Sequence, residues 1–387
     1  MRRLYRADTA RRSGGTVPSP FSPHPFGCSN FHTSLRADSV LRRGIRKVPP
    51  SNPLPAFPGQ ALADPVLSAV RRHTASGNPS SFLALNRGNE VFSVPGLDGV
   101  VVHRRTGRHL VQFGGPFAAA PDYEPLLTAF TAHARDRDLA VVAVQLQRPD
   151  AEAYVRHGYT ANQIGASWAV PLPDFTLRGG RFMQLRNKIS RAFRNGLAVR
   201  EVDPAHWEEA LAGIDRAWLG SKGEHARPLE FLVGELGGPA QEHRRLFLGT
   251  VDGEPVGYIS YSPVYGDRAG WMHDLSRRVP GGSPGLMEAI NSRAIETFRS
   301  EGVEWLHFGF TPFTGLDPAH EVPGHSLGFQ WLMHFLWDHG GDLYPARSQL
   351  SYKEKWAPAD PIPEYVAFDG PASLAGFAHV FRACKAF

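Results

Sequence analysis

Cysteine is almost missing from this sequence: Cys28 and Cys384, near opposite ends of 387 residues, are the only two. A disulfide framework is excluded, and a reducing compartment is expected. Long apolar runs are missing as well. A membrane-spanning helix needs ~18 apolar residues in a row, whereas Leu139–Val144 has the length of a buried strand. The basic N-terminus is not followed by the apolar segment of a secretory signal, so a cytoplasmic location is expected. Metal-binding patterns are lacking too. His320/His325 and His334/His339 are five apart, on different helix faces, with no HExxH or Cys cluster to join them, so no metal site is expected. Gly281-Gly282-Ser283-Pro284-Gly285 has the spacing of a serine-hydrolase nucleophile elbow, but the residue after the serine must donate its N–H there, and Pro284 has none. With no Lys-Ser/Thr pair after the last glycine, the run is not a Walker loop either.

A length of 387 residues allows two or three modest domains with real cores, and the 42% apolar fraction indicates a globular protein. The formal charge of +5 is unevenly placed. Residues 1–50 hold ten Lys/Arg against two Asp, net +8, which leaves −3 on the rest. Residues 1–62 are rich in Pro, Ser and Arg without a sustained period, and read as a disordered tail.

From residue 63 the pattern becomes that of an α/β protein. Asp64–His73 reads as a helix, and Ser81–Leu85 opens a run of short strands. Val91–Val94 and Val100–Arg104 flank a Pro-Gly turn, and His109–Phe113 follows. A Gly-Gly-Pro loop, a helix over Tyr123–Asp136 and the strand Leu139–Leu146 complete this part. The later half repeats the order: Arg245–Val251 and Pro255–Ser262 about Asp252-Gly253, then Ala269–Leu275, a Gly-rich loop, a helix capped by Ser283-Pro284, and Trp305–Phe310. Two lobes are expected, 63–177 and 178–387. The second carries the chemistry, because only there does the strand end in His273-Asp274 with Arg277 and Arg278 beside the loop. A Gly-rich loop entering a helix N-terminus is a place for phosphate. Between the lobes Arg178–Arg200 contains no acid. Phe182, Leu185, Ile189 and Phe193 make an apolar stripe, with Lys188, Arg191 and Arg194 pointing away, as a polyanion-binding helix would. Leu327–His339 is apolar nearly all round and reads as a buried helix. An extended Tyr352–Trp356 would set Lys353 and Lys355 on one side.

Several of these residues resemble the soluble domain of the aminoacyl-phosphatidylglycerol synthases, the lysyl-phosphatidylglycerol synthase or multiple peptide resistance factor family. They are Asp274-Leu-Ser-Arg277-Arg278, Phe308-Gly-Phe-Thr311-Pro312, Tyr352-Lys-Glu-Lys-Trp-Ala-Pro with Pro363-Glu-Tyr-Val-Ala, Leu185-Arg186-Asn187-Lys188, and Trp218-Leu-Gly-Ser-Lys222-Gly-Glu224. The resemblance spans about Ala63 to Phe368 and implies two fused GNAT-like lobes. It also implies an aminoacyltransferase that moves an amino acid from aminoacyl-tRNA to a lipid hydroxyl without a resident cofactor. It implies Asp274, Arg277 and Lys355 as catalytic residues, with His273 beside them. Arg278, Lys353, Tyr352, Thr311, Lys222 and Glu224 would bind substrate, and Arg186, Lys188, Arg191 and Arg194 would bind tRNA or anionic lipid. The family's membrane-embedded half is absent from this sequence, and His-Ala-Arg-Pro follows Glu224 where the family has Phe-Ser-Leu-Gly. A soluble hydroxyl or amine acceptor, and membrane contact that is peripheral at the inner face, stay open on that account. Arg278-Val-Pro-Gly281-Gly282-Ser283 approximates the pyrophosphate loop of acyl-CoA N-acyltransferases, which makes acetyl-CoA the rival co-substrate. A non-enzymatic RNA- or membrane-binding module is the third reading.

Overall fold

The computed structural model describes residues 60–74, 78–223, 226–342 and 344–386. The expected tail thus lies outside the described residues, except for positions 60–62, which begin a helix. The described strands are β1 (Glu90–Phe92), β2 (Gly99–Thr106), β3 (His109–Ala118), β4 (Ala140–Leu146), β5 (Tyr159–Pro171), β6 (Leu197–Val202), β7 (Arg245–Val251), β8 (Glu254–Val264), β9 (Gly270–Arg278), β10 (Trp305–Pro312) and β11 (Ile362–Asp369). The helices are α1 (Gln60–His73), α2 (Ala120–Arg135), α3 (Arg148–Arg156), α4 (Met183–Arg194), α5 (Glu208–Gly220), α6 (Leu286–Ser300), α7 (Leu327–His339), α8 (Ala346–Glu354) and α9 (Leu374–Ala383).

All eleven strands form one mixed sheet in the order β1-β2-β3-β4-β11-β5-β10-β9-β8-β7-β6. The repeated order expected from the sequence is present as two GNAT-like halves: an antiparallel meander, then a strand–helix–strand crossover with parallel pairing, β3–α2–β4 and β9–α6–β10. The halves exchange their last strands. β11 lies between β4 and β5, and β5 pairs with β10. The expected boundary at 177/178 falls in the irregular segment between β5 and α4, and the sheet continues across it.

Local chemistry explains the turns. Asp252 and Gly253 both have positive φ, 51° and 87°, as the two-residue hairpin turn that matches strand twist requires. Ser81–Leu85 is a buried 3-10 turn, not a strand. Asn89 Nδ2 donates to the carbonyls of Leu83 and Ala84, and Asn78 Oδ1 accepts from the Ser80 N–H, so side chains take the bonds a ladder would have supplied. α6 begins two residues later than Ser283-Pro284 suggests, after Gly285 at φ 92°. A Cβ there would collide with the Lys188 carbonyl, so glycine lets α4 close over the start of α6.

α7 forms where expected but is not buried. Phe329 and Met333 face the core, with Phe329 against Phe368 and Phe377. Leu327, Trp331 and Phe335, spaced four apart on the other side, are 72%, 65% and 42% exposed.

Candidate active site

The sheet opens where β9 and β10 part. Their parallel register runs through Trp305/Gly270, Leu306/Trp271 and His307/Met272 and then stops. A bulge follows on each strand. On β9, His273 pairs with Tyr261 and Leu275 with Ser260, so Asp274 is the extra residue. On β10, His307 pairs with Ala169 and Gly309 with Trp168, so Phe308 is the extra one. A bulge changes which face successive side chains take. His273 turns to the α6 face with Tyr261, whereas Asp274 and Leu275 turn to the α5 face with Ser260.

On the α6 face the cleft is lined from α8. The Tyr352–Trp356 segment is the end of a helix rather than an extended strand, so Lys353 and Lys355 diverge by two helical steps. Lys353 is buried. Its Nζ donates to the carbonyl oxygens of Gly309 (2.7 Å) and Phe310 (3.1 Å) and to Thr311 Oγ1 (2.5 Å). Burial lowers its pKa to about 7, against the pull of Glu364, which favours the ammonium. Glu364, on β11, has no exposure; Oε1 accepts from the Ser167 hydroxyl and Oε2 has no partner among the described residues. Burial raises its pKa to about 7, against the stabilising effects of Ser167 and Lys353. His273 packs against Tyr261, Phe308 and Tyr352. Burial, then the nearby Lys353 charge, lowers its pKa to about 3, so the imidazole is neutral at physiological pH. Tyr261 donates to Asn291 Oδ1 (2.7 Å), with Asn291 beside His273. Thus His273, Thr311, Tyr352 and Lys353, four residues expected from the sequence, come together here.

Asp274 does not join them, and its partner is not Arg277. It pairs with Arg244 at 3.2 Å, both side chains fully buried. Arg244 also donates to Asn86 Oδ1 (2.9 Å) and lies 5.0 Å from the centre of the Phe82 ring. Burial raises the Asp274 pKa, with Arg244 opposing. Gly234 seals the pair: its N–H donates to the Asp274 carbonyl (3.1 Å), and a Cβ would strike Asp274. Arg277 stacks on Trp218 at 3.9 Å and sits 4.0 Å from Asp215, on α5. Lys222 lies over the same Trp218 ring, 5.1 Å from its centre. Arg278 is exposed at the strand end. Lys355 bonds Glu288 on α6 (2.9 Å), and Glu224 lies outside the described residues. Glu364 lies in the Pro363-Glu-Tyr-Val-Ala run but drew no role there, and Arg244 and Ser167 carry no sequence signal of their own: each acquires its setting from segments distant in the chain.

α4 has the expected faces. Leu185 and Ile189 are buried, and Lys188, Arg191 and Arg194 are exposed. Arg186 is instead turned to the backbone, donating to the carbonyls of Leu177 and Gly179. At the Gly-rich loop α4 abuts the start of α6 at Gly285 and Asn195 donates to Ser283 Oγ (3.1 Å), while Gly281 and Gly282 stay exposed. In the first half the corresponding opening beyond Phe113/Val144 is occupied by protein. Tyr123 and Asp150 lie where a Gly115 Cβ would stand, bonded to each other at 2.6 Å.

Two halves with exchanged strands, one opening filled and the other lined by ionisable groups, define a tandem GNAT-like fold with a single candidate cleft among the described residues. The chain belongs to the family described as phosphatidylglycerol lysyltransferase, C-terminal, which it matches over residues 68–368. It is 24% identical over 301 residues to the phosphatidylglycerol lysyltransferase of Bacillus subtilis, an alignment that covers 76% of this chain and 34% of that protein. It is 30% identical over 219 residues to the lysylphosphatidylglycerol biosynthesis bifunctional protein LysX of Mycolicibacterium gilvum, covering 54% and 19%. The chain therefore spans about a third or less of these curated relatives. Among solved structures, L-PGS from Bacillus licheniformis superposes with a TM-score of 0.69 at 21% identity, covering 83% of this chain and 96% of that one. The C-terminal domain of a lysylphosphatidylglycerol synthetase from Agrobacterium fabrum gives 0.67 at 20%, with the same coverage.

Proposed function

We propose that this chain transfers an amino acid from aminoacyl-tRNA to a hydroxyl of phosphatidylglycerol, in the cleft between β9 and β10. The observation that carries the reading is the buried Lys353–Thr311 contact in a chain of this family. An aminoacyl ester is already activated, so the protein must orient the acceptor, move one proton and stabilise an oxyanion. The acceptor oxygen attacks the ester carbonyl, its proton leaves through Thr311 to the Lys353 amine, and the ribose oxygen departs with a proton from the ammonium. Thr311 Oγ1 can serve both stages, accepting from the ammonium and donating to the amine. A Lys353 pKa near 7 suits both halves of that exchange. His273, held neutral, acts as a hydrogen-bonding group. Asp274 braces the bulge from the opposite face.

Two surfaces extend the reading. The exposed cations of α4 suit the tRNA backbone, and the Leu327/Trp331/Phe335 side of α7 suits shallow contact with a lipid surface. Among the described residues no helix is long and apolar enough to cross a membrane. Reversing Lys188, Arg191 and Arg194 to Glu is expected to weaken tRNA binding and flatten its salt dependence, leaving the melting temperature near wild type. Trp331→Ala with Phe335→Ala is expected to lower co-sedimentation with phosphatidylglycerol vesicles and leave tRNA binding intact. Unchanged binding in either arm removes that surface from the account.

The function itself is tested by supplying a charged-tRNA pool, each amino acid labelled in turn, with phosphatidylglycerol vesicles. Label in the lipid fraction, lost after ribonuclease treatment, is the expected result. Robust acetyl transfer from acetyl-CoA without RNA would overturn it.

A further inference from the structure

Glu364 is a carboxylate that the transfer chemistry above does not use, in a place where an idle carboxylate is costly. It has no exposure, one oxygen takes the Ser167 hydroxyl, and the other is buried without a partner among the described residues. It sits on β11, the strand the second half gives to the first, opposite Gly165 of β5 and at a register shift before Tyr365. Gly165 cannot carry a side chain, because a Cβ would collide with the Thr311 carbonyl. β5 therefore passes close against β10 just where Lys353 is anchored. Glu364 and Lys353 influence each other without forming an ion pair within 4.0 Å among the described residues. The other titratable groups packed around Lys353 are His273 from β9 and Tyr352 beside it on α8, while Glu288 of α6 is engaged by Lys355.

We propose that Glu364 is a positioning residue for the proposed transfer: its carboxylate, held by Ser167, sets the proton affinity of the Lys353 amine. Glu364 does not touch substrate in this account and acts through Lys353. The strand exchange then has a functional consequence, because the residue that tunes the second half's proton carrier arrives on a strand inserted beside the first half.

The sign follows from the charges. A nearby carboxylate favours the ammonium, so removing it lowers the Lys353 pKa. In Glu364→Gln the Nζ titration, followed by NMR on 15N-lysine protein and assigned with Lys353→Met, is expected to move down by ~1–3 units. The acid limb of kcat moves the same way, because the neutral amine persists to lower pH, and KM changes little. Ser167→Ala, a smaller perturbation, is expected to shift Lys353 downward by less, and Glu364→Asp to restore most of the wild-type titration. An unshifted Nζ titration in the Gln variant, or in the Ala variant if the Gln variant does not fold, overturns the proposal. The NMR arm stands without turnover. A shifted titration with no transfer activity in any protein would sink the transfer reading alone.

Discussion

An Asp274→Asn protein is expected to lose about 3–5 kcal/mol of stability, the usual cost of leaving one member of a buried ion pair alone. Arg244 is the member left behind. Its side chain has no exposure, its Nη2 is engaged by Asn86, and its Nη1 already lacks a partner among the described residues. Asparagine preserves shape and one oxygen but not the charge that offsets the buried guanidinium. The strain would reach the 3-10 turn, which contributes Phe82 beneath Arg244, and the segment pinned by Gly234. Urea unfolding should show a lower midpoint with an unchanged slope, and activity should fall only with the folded fraction. A fully stable Asp274→Asn protein whose single-turnover rate drops ~10²–10⁴-fold would instead put Asp274 among the reacting groups.

Lys353→Met is expected to show the opposite pattern, a rate loss of ~10²–10⁴-fold with the fold retained. Methionine fills much of the same volume without a charge to bury. Glu364, already with a raised pKa, can take up a proton rather than remain an uncompensated ion. The local cost is the loss of donors to Gly309, Phe310 and Thr311. If Lys353 only braced β10, the variant would lose stability and keep its rate per folded molecule. Melting temperature and single-turnover rate on one preparation separate the two roles.

What could be read in advance followed local rules. Asp252-Gly253 announces its hairpin because few residue pairs accept two successive positive φ values. α4 is legible because Leu185 and Ile189 recur at helical spacing among cations. The parts not read depend on distant contacts. Lys353 and Lys355 point apart because their segment completes a helix, which brings one to β10 and the other to Glu288. The apolar pattern of α7 gave no warning that Leu327, Trp331 and Phe335 would stay exposed, since periodicity does not say what packs on a helix. Asp274 and Arg277 are three apart on one strand, yet the bulge and Arg244, thirty residues earlier, decide their partners. β5 and β11 have ordinary strand composition, and nothing in it foretells that they trade places between the halves.

The most direct test of the central claim is single-turnover transfer from labelled aminoacyl-tRNA to phosphatidylglycerol vesicles, wild type beside Lys353→Met at equal folded concentration. The account predicts label in the wild-type lipid fraction, abolished by ribonuclease, and a ~10²–10⁴-fold slower appearance in the variant with tRNA binding unchanged. Equal rates from the two proteins would contradict a reaction centred on Lys353, and no label in lipid from either would contradict the transfer itself.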